Sequence, residues 1–403
     1  MPVTQVLWPL GCRLEAAAIT SITVSSMDIT QPLQLLGGLS PEIFMKRHWH
    51  KKPLLVRQAI PGFQPVLARP ALFALAAQQG VESRLITLAR QRGKAHWQLR
   101  HGPFERRALP PLKQPQWTLL VQGVDLHVDA AHALLNQFRF VPDARLDDLM
   151  ISYATDGGGV GPHYDSYDVF LLQAQGRRRW RIGRRYDTTL RDDVPVKILA
   201  HFVPEQEFVL EAGDMLYLPH RYAHDGVAVD GECMTYSIGF RSPAQGELAQ
   251  DLLQRLAEEA TEAGGDARYR DPDQGAVHTP AAIPAPLQKF AQQALLAAQQ
   301  DPLALARLLG EHLTEPKSSV WFEPGEPGDV GAGVVLDRRT RMMYDTHHVF
   351  INGEGYRAAG RDATLMRRLA DERQLDGKAL ARLSEDASIL LQSWCEAGWV
   401  HAV

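Results

Sequence analysis

Residues 157–165 read Gly-Gly-Gly-Val-Gly-Pro-His-Tyr-Asp, and a histidine and an aspartate stand two positions apart at their end. On an extended segment such side chains point to the same side, so His163 and Asp165 can bind one metal ion. Residues 213–224 read Gly-Asp-Met-Leu-Tyr-Leu-Pro-His-Arg-Tyr-Ala-His and offer His224 as a third ligand. Two histidines and one carboxylate form the facial triad that leaves coordination positions open on non-haem Fe(II). A cosubstrate and dioxygen would bind at those positions.

A basic run follows on the next predicted strand, where residues 176–180 read Gly-Arg-Arg-Arg-Trp. A guanidinium holds a carboxylate through two parallel hydrogen bonds, which suits the distal carboxylate of a dicarboxylate cosubstrate. Alternation along the strand favours one inward arginine, so we expect Arg178 to face the site, with the Ser152 hydroxyl beside the same carboxylate. The alternative is a solvated basic turn, which accounts well for Arg177 and Arg179.

The residues around these motifs alternate between short apolar runs and turn signals. The runs lie at 168–173, 179–182, 208–210, 215–218 and 234–240, separated by Gly, Pro and Asp. This punctuation is typical of an antiparallel sandwich or small barrel.

Helical periodicity begins after Pro243. Apolar residues recur at every fourth position through Leu248, Leu252 and Leu256, which predicts helices. The last part of the chain reads as two short strands followed by helices around 364–375, 377–383 and 387–398. That order resembles a small winged-helix module, so the sequence predicts an α+β chain.

Composition excludes several classes of protein. The chain has 403 residues, 45% hydrophobic and 22% charged, which is enough apolar material for a sizeable core. No run approaches the ~20 apolar residues of a membrane span. With 43 basic and 47 acidic residues the net charge is −4, which gives no general case for binding nucleic acid or anionic membranes.

The three cysteines are far apart and form no CxxC pair, which argues against disulfides and a cysteine-based zinc site. The first residues lack the pattern of a signal peptide, so we expect a cytoplasmic protein. Residues 337–403 carry ten basic and ten acidic residues. This balance predicts that the terminal module does not bind DNA.

The segment from Asp148 to Arg241 resembles the JmjC family of Fe(II)- and 2-oxoglutarate-dependent oxygenases, through the HxD pair, the following arginine and the segment with the distal histidine. Longer strings narrow the resemblance to the bacterial ribosomal oxygenases. These are FMKRHWHKKPLLVR at 44–57, DDLMISYATDGGGVGPHYDSYDVFLLQAQGRRRWRIG at 147–183 and YSIGFRSP at 236–243. Many JmjC relatives carry lysine where this chain has Arg178, whereas ribosomal oxygenases share the arginine.

The resemblance implies a double-stranded β-helix (cupin-like JmjC) core in which His163, Asp165 and His224 bind Fe(II). It implies that Ser152 and Arg178 hold the cosubstrate 2-oxoglutarate, with O2 as the second cosubstrate. The implied reaction is hydroxylation of the C3 (β) carbon of an arginine in a large-subunit ribosomal protein.

The resemblance also implies the organisation of the chain. We expect residues 1–39 to form an N-terminal extension and 40–242 the JmjC oxygenase domain, with its metal-binding core at 148–241. Residues 243–322 are expected to form a helical section that makes a homodimer, although an intramolecular cap on the barrel has the same periodicity. Residues 323–403 are expected to form the winged-helix-like domain.

An arginine substrate needs a carboxylate or an aromatic face for its guanidinium. The candidate substrate-binding residues are Tyr164, which lies within the HxD pair, and Tyr167 and Asp168, which follow it. His48 and His50 form another histidine-rich stretch, beside Lys51 and Lys52. We interpret that stretch as a helix end with basic residues at its negative pole.

Two other functions use much of the same sequence. A JmjC lysine demethylase shares the core motifs, but the chain lacks the cysteine clusters of chromatin readers. A non-catalytic cupin-like binding protein would be expected to have lost a metal ligand or the cosubstrate cation, and all four residues are present.

Overall fold

The fold was analysed in a computed structural model that describes residues 27–91, 94–263, 268–297, 301–325 and 331–403. Residues 1–26 of the expected N-terminal extension lie outside the described residues. The rest of that extension is not separate from the domain, because Leu35 and Leu36 are buried in the main hydrophobic core. The folded part of the chain therefore begins before residue 40.

Fifteen strands are present in the described residues. They are β1 (Leu54–Val56), β2 (Ser83–Gln91), β3 (Lys94–His101), β4 (Trp117–Val121), β5 (Leu146–Ala154), β6 (Val169–Arg184), β7 (Gln206–Leu210), β8 (Met215–Leu218), β9 (Tyr222–Phe240), β10 (Gly333–Leu336), β11 (Met342–Tyr344), β12 (His348–Ile351), β13 (Glu354–Arg357), β14 (Gln374–Asp376) and β15 (Val400–Ala402).

Nine α-helices accompany them over the same described ranges. They are α1 (Pro41–Arg47), α2 (Arg69–Leu75), α3 (Asp129–Asn136), α4 (Gln245–Ala263), α5 (Ala285–Ala297), α6 (Ala304–Thr314), α7 (Gly360–Glu372), α8 (Gly377–Leu380) and α9 (Glu385–Glu396). None of these helices combines the length and the apolar character needed to cross a membrane.

The main sheet is antiparallel throughout. Its strand order is β1-β8-β6-β9-β5-β4-β2-β3. Strand β7 pairs with residues 178–182 of β6, on the same side as β8, which pairs with residues 169–172. The long strand β6 pairs along its length with β9, from Val169 opposite Gly239 to Arg184 opposite Tyr222. These two strands therefore connect the two halves of the sheet.

The continuity of β6 differs from the sequence prediction, which placed separate strands at 168–173 and 179–182. The register shifts between Gln173 and Arg177, and Gly176 adopts a φ of +65° at the bend. A Cβ at Gly176 would lie 2.2 Å from the carbonyl oxygen of Glu232, so only glycine fits there. A bulge of this kind bends a strand without ending it, which is why the apolar pattern is interrupted while the ladder continues.

Aromatic side chains fill the core beneath this sheet. The Phe44 ring, on α1, lies 4.9 Å from the ring of Tyr217 and 5.4 Å from that of Phe170, and all three side chains are fully buried. Ser40 caps α1 by accepting a hydrogen bond from the backbone N–H of Ile43. This cap fixes the start of α1, and the contacts of Phe44 pack the helix against the sheet.

A second core lies in the C-terminal module. Strands β14-β10-β15 and β11-β12-β13 form two small sheets, with α7, α8 and α9 around the buried Trp394 and Leu369. Helix α6 packs against β12 and β13 and also against α4, so it contacts both the C-terminal module and the preceding helical section.

Substitution of Gly310 in α6 tests this packing. Alanine normally stabilises a helix by about 1 kcal/mol relative to glycine. A Cβ at Gly310, however, would lie 2.3 Å from the ring of Phe350, so we expect Gly310→Ala to destabilise the protein by about 1–3 kcal/mol. Urea unfolding measures the change.

Gly246→Ala is the matched control, because Gly246 is also helical and a Cβ there meets no atom within 4 Å. We expect this variant to be as stable as the unmodified protein or more so. Equal stabilisation by both substitutions would contradict the packing of α6 on Phe350.

Candidate active site

The segments that carry the predicted metal ligands pair through backbone hydrogen bonds between His163 and His224. The N–H of His163 donates to the carbonyl of His224 over 2.9 Å, and the N–H of His224 donates back over 2.8 Å. This isolated antiparallel bridge lies beyond the end of β5 and at the start of β9. It brings the two imidazole rings to a centroid distance of 4.2 Å.

The ring nitrogens are oriented for metal binding. Nδ1 of His163 lies 2.9 Å from the carbonyl oxygen of Gly161, and Nδ1 of His224 lies 3.4 Å from that of Tyr222. A proton on each Nδ1 is donated to a carbonyl, which leaves each Nε2 with a free lone pair. Burial, and then the neighbouring His163, lower the pKa of His224 to about 4, so this imidazole is neutral near pH 7.

Asp165 completes the set. Its Oδ2 lies 3.6 Å from Nε2 of His224, and the ligand atoms of His163, Asp165 and His224 all lie within 4.8 Å of one another. The structure therefore brings together the three residues that the sequence analysis proposed as metal ligands. Two imidazoles and a carboxylate form a donor set that suits Fe(II).

Arg178 lies inward on β6 and is 2% exposed. Its guanidinium donates to the Ser152 hydroxyl over 3.2 Å and to the carbonyl of Gly226 over 3.1 Å, and it lies over the Trp180 ring. A Cβ at Gly226 would lie 2.6 Å from Trp180, so the absence of a side chain there makes room for these groups.

The charge of Arg178 has no counter-ion in the part of the chain that the structure describes. Across the described residues, no carboxylate lies within ion-pair distance of its guanidinium, and its Nε has no hydrogen-bond partner. A buried cation without a partner is costly, so this site fits an anionic ligand such as the carboxylate of 2-oxoglutarate.

These groups line one cavity of about 410 Å³. Tyr164 and Tyr167 also line it, and the guanidinium of Arg185 lies 4.5 Å from the centre of the Tyr164 ring. Burial raises the pKa of Tyr167, which keeps its hydroxyl protonated as a hydrogen-bond donor. Both tyrosines are therefore placed where a substrate side chain would approach the metal ligands.

Asp168, the third candidate substrate-binding residue, does not line the cavity. It is fully buried, and its carboxylate accepts hydrogen bonds from the Tyr217 hydroxyl and from the backbone N–H groups of His50 and His220. Strand parity explains this orientation, because Tyr167 and its second neighbours face the cavity while Asp168 points to the opposite side.

His50 also differs from the sequence interpretation. Helix α1 ends at Arg47, and His48 forms its C-terminal cap, so His50 lies beyond the helix end. Its ring contacts His220 rather than the end of the helix.

Sequence reasoning missed Asp148 as a cavity residue. This buried acid on β5 lines the cavity, and its Oδ2 accepts hydrogen bonds from Nε2 of Gln122 and the N–H of Gly123. Burial raises the pKa of its carboxyl group. The two adjacent aspartates in the sequence, Asp147 and Asp148, gave no signal as to which one faces the cavity.

Comparison with known proteins identifies the family. The JmjC domain profile matches residues 133–248, and the ROXA-like winged-helix profile matches residues 297–401. The chain is 37% identical over 292 residues to the ribosomal protein uL16 3-hydroxylase of Escherichia coli (strain K12), covering 70% of this chain and 74% of that protein. The chain belongs to the ribosomal oxygenases of the JmjC type. The predicted JmjC cupin-like core and terminal winged helix are thereby confirmed.

Other members of the family match over most of their length. A probable ribosomal oxygenase of Haemophilus influenzae is 28% identical and covers 93% of this chain and 98% of its own length. The X-ray structure of E. coli YcfD superposes with a TM-score of 0.76 at 30% identity, covering 89% of this chain and 97% of that one. A structure of YcfD in complex with cobalt and 2-oxoglutarate matches with a TM-score of 0.73 at 31% identity, covering 90% and 98%.

Replacing Arg178 with lysine tests the anchor. Lysine keeps the positive charge but loses the fork that contacts Ser152 and the ligand, and a hydrogen bond to a charged group contributes about 1.5–3 kcal/mol. We expect Arg178→Lys to raise the KM for 2-oxoglutarate by about 10- to 100-fold, measured from initial rates of succinate formation.

Arg179→Lys is the control on the same strand, because Arg179 does not line the cavity. Its KM for 2-oxoglutarate should stay within about twofold of the unmodified enzyme. An unchanged KM in Arg178→Lys would exclude Arg178 as the anchor.

Proposed function

We propose that this protein is an Fe(II)- and 2-oxoglutarate-dependent dioxygenase that hydroxylates the C3 carbon of an arginine in a large-subunit ribosomal protein. The observation that supports it most directly is the buried, unpaired charge of Arg178 in the same cavity as His163, Asp165 and His224. A cupin-like protein without catalytic activity would be expected to have lost one of these four residues. The E. coli relative, named for ribosomal protein uL16, provides the substrate class.

Each residue of the site has a physical task in this proposal. His163, Asp165 and His224 would hold the iron, and a set of three protein ligands leaves coordination positions for other ligands. Arg178 and Ser152 orient 2-oxoglutarate by its distal carboxylate. Iron with 2-oxoglutarate and O2 supplies the oxidation, which yields succinate, carbon dioxide and the hydroxylated arginine.

Asp148 is the group we propose for recognition of the substrate guanidinium. Among the described residues that line the cavity, the acids are Asp148 and Asp165, and Asp165 belongs to the metal set. Oδ2 of Asp148 lies 3.9 Å from Nζ of Lys317, which does not line the cavity, so we propose that Oδ1 is the oxygen that pairs with the substrate cation. An arriving guanidinium would favour the ionised form of a carboxyl whose pKa burial has raised, so substrate binding and ionisation support each other.

The helical section is proposed as a homodimer interface. Helices α4 and α5 leave large apolar side chains exposed: Leu253 is 63% exposed, Leu295 70% and Leu296 66%. A second copy of the chain would cover them. A ribosomal protein substrate also favours a cytoplasmic location, as expected from the sequence.

The activity is tested with ribosomal peptides. The purified protein, supplied with Fe(II) and 2-oxoglutarate, should form succinate and add the mass of one oxygen atom to an arginine-containing peptide of a large-subunit protein. His163→Ala should abolish both signals while the circular dichroism spectrum stays unchanged, because an open-site ligand contributes to chemistry more than to folding.

Other outcomes separate the alternatives. Succinate without any modified ribosomal peptide would exclude the ribosomal substrate, and demethylation of a methyl-lysine peptide would indicate a demethylase. Absence of both signals from an iron-loaded protein would support the non-catalytic alternative.

Asp148→Asn tests substrate recognition separately. Asparagine keeps the size of the side chain but loses the charge, so we expect the KM for the arginine peptide to rise about 10- to 100-fold. The KM for 2-oxoglutarate should not change. Asp147→Asn is the control, because Asp147 pairs with Lys317 and Arg241 outside the cavity. Equal effects of the two substitutions would contradict the role of Asp148.

A further inference from the structure

A second cluster of metal-ligating side chains lies outside the cavity described above. His50 follows α1, Asp168 precedes β6 and His220 lies in the turn between β8 and β9. Asp168 is fully buried, whereas the side chains of His50 and His220 are 32% and 28% exposed. The three groups thus meet at the rim of the sheet, where an ion and a water molecule can enter from solvent.

The distances within this cluster are those of a metal site. Nδ1 of His50 lies 3.2 Å from Nδ1 of His220, and each of these nitrogens lies 3.3 Å from Oδ1 of Asp168. In a tetrahedral zinc site with bonds of about 2.0–2.1 Å, neighbouring ligand atoms lie about 3.3–3.4 Å apart. The three atoms therefore match one face of a zinc coordination tetrahedron.

The surroundings hold the carboxylate in place without a metal ion. Oδ2 of Asp168 accepts hydrogen bonds from the Tyr217 hydroxyl and the N–H of His50, and Oδ1 accepts one from the N–H of His220. Metal-binding carboxylates are commonly held by such contacts. Preorganisation of Asp168 lowers the cost of binding an ion.

The guanidinium of Arg145 competes with a metal ion for His50. Nη2 of Arg145 lies 3.3 Å from Nε2 of His50, and a metal on Nδ1 requires a proton on that Nε2. The guanidinium of Arg145 also donates through Nε to the carbonyl of Arg241 and lies over the Trp49 ring. These two contacts retain Arg145 when its contact with His50 is lost.

We propose that His50, Asp168 and His220 form a second metal site that binds Zn²⁺, with water as the fourth ligand. The ion connects the turn after α1 to the segments that carry Asp165 and His224, and it does so from the face of those segments opposite the cavity. This site is independent of the proposed hydroxylase activity.

Zinc content tests the proposal in the full chain. His163→Ala/Asp165→Ala removes the first ligand set, and after incubation with Zn²⁺ and gel filtration this variant should retain about one equivalent of zinc by elemental analysis. Adding His50→Gln and His220→Asn should abolish that equivalent. Adding His201→Ala instead, which replaces an exposed histidine outside the cluster, should leave the equivalent unchanged.

Two results would overturn the proposal. Absence of zinc from His163→Ala/Asp165→Ala would mean that the cluster is only a hydrogen-bonded network. Zinc retained after substitution of His50 and His220 would mean that the ion binds elsewhere.

Cobalt provides a readout that does not depend on the folding of the cluster variant. Co²⁺ added to His163→Ala/Asp165→Ala should produce the intense visible absorption of four-coordinate cobalt, which six-coordinate cobalt lacks. Absence of this band would also overturn the proposal.

Discussion

The pairing of β6 with β9 is the constraint on which the site depends. Arg178 stands opposite Ala228, Trp180 opposite Gly226 and Ile182 opposite His224. Directly opposed residues of an antiparallel pair project to the same face, so this register places the cosubstrate cation and the distal histidine on one surface. A shift of one strand by one residue would turn its own side chain, Arg178 or His224, away from the cavity.

On the same face, close packing at Gly226 positions the guanidinium of Arg178. Gly226 has no side chain, and Trp180 and the guanidinium of Arg178 occupy the space above it. The guanidinium is thus held by Ser152, a carbonyl group and an aromatic ring, none of which neutralises its charge. The guanidinium is therefore a buried positive charge that the surrounding groups do not compensate. An anionic cosubstrate would neutralise it.

Ion pairs and hydrogen bonds connect the C-terminal module to the oxygenase core. Arg139 donates to the carbonyl groups of Asp371 and Ala370, and Arg338 donates to Asp129. Lys317 pairs with Asp147, the immediate neighbour of the cavity residue Asp148. Residues outside the cavity therefore support the strand that carries Asp148.

The sequence by itself determined the chemistry of the site. The residue types and spacing of His163, Asp165 and His224 suit a metal ion, and Arg178 suits a carboxylate. Tertiary structure decided which acids face the cavity. Asp148 and Asp168 are both buried, but Asp148 lines the cavity and Asp168 points to the opposite side. It also decided that His50 meets His220, because such a contact depends on how α1 docks on the sheet rim. Local patterns predict a strand and its period, but not which distant segment packs against it.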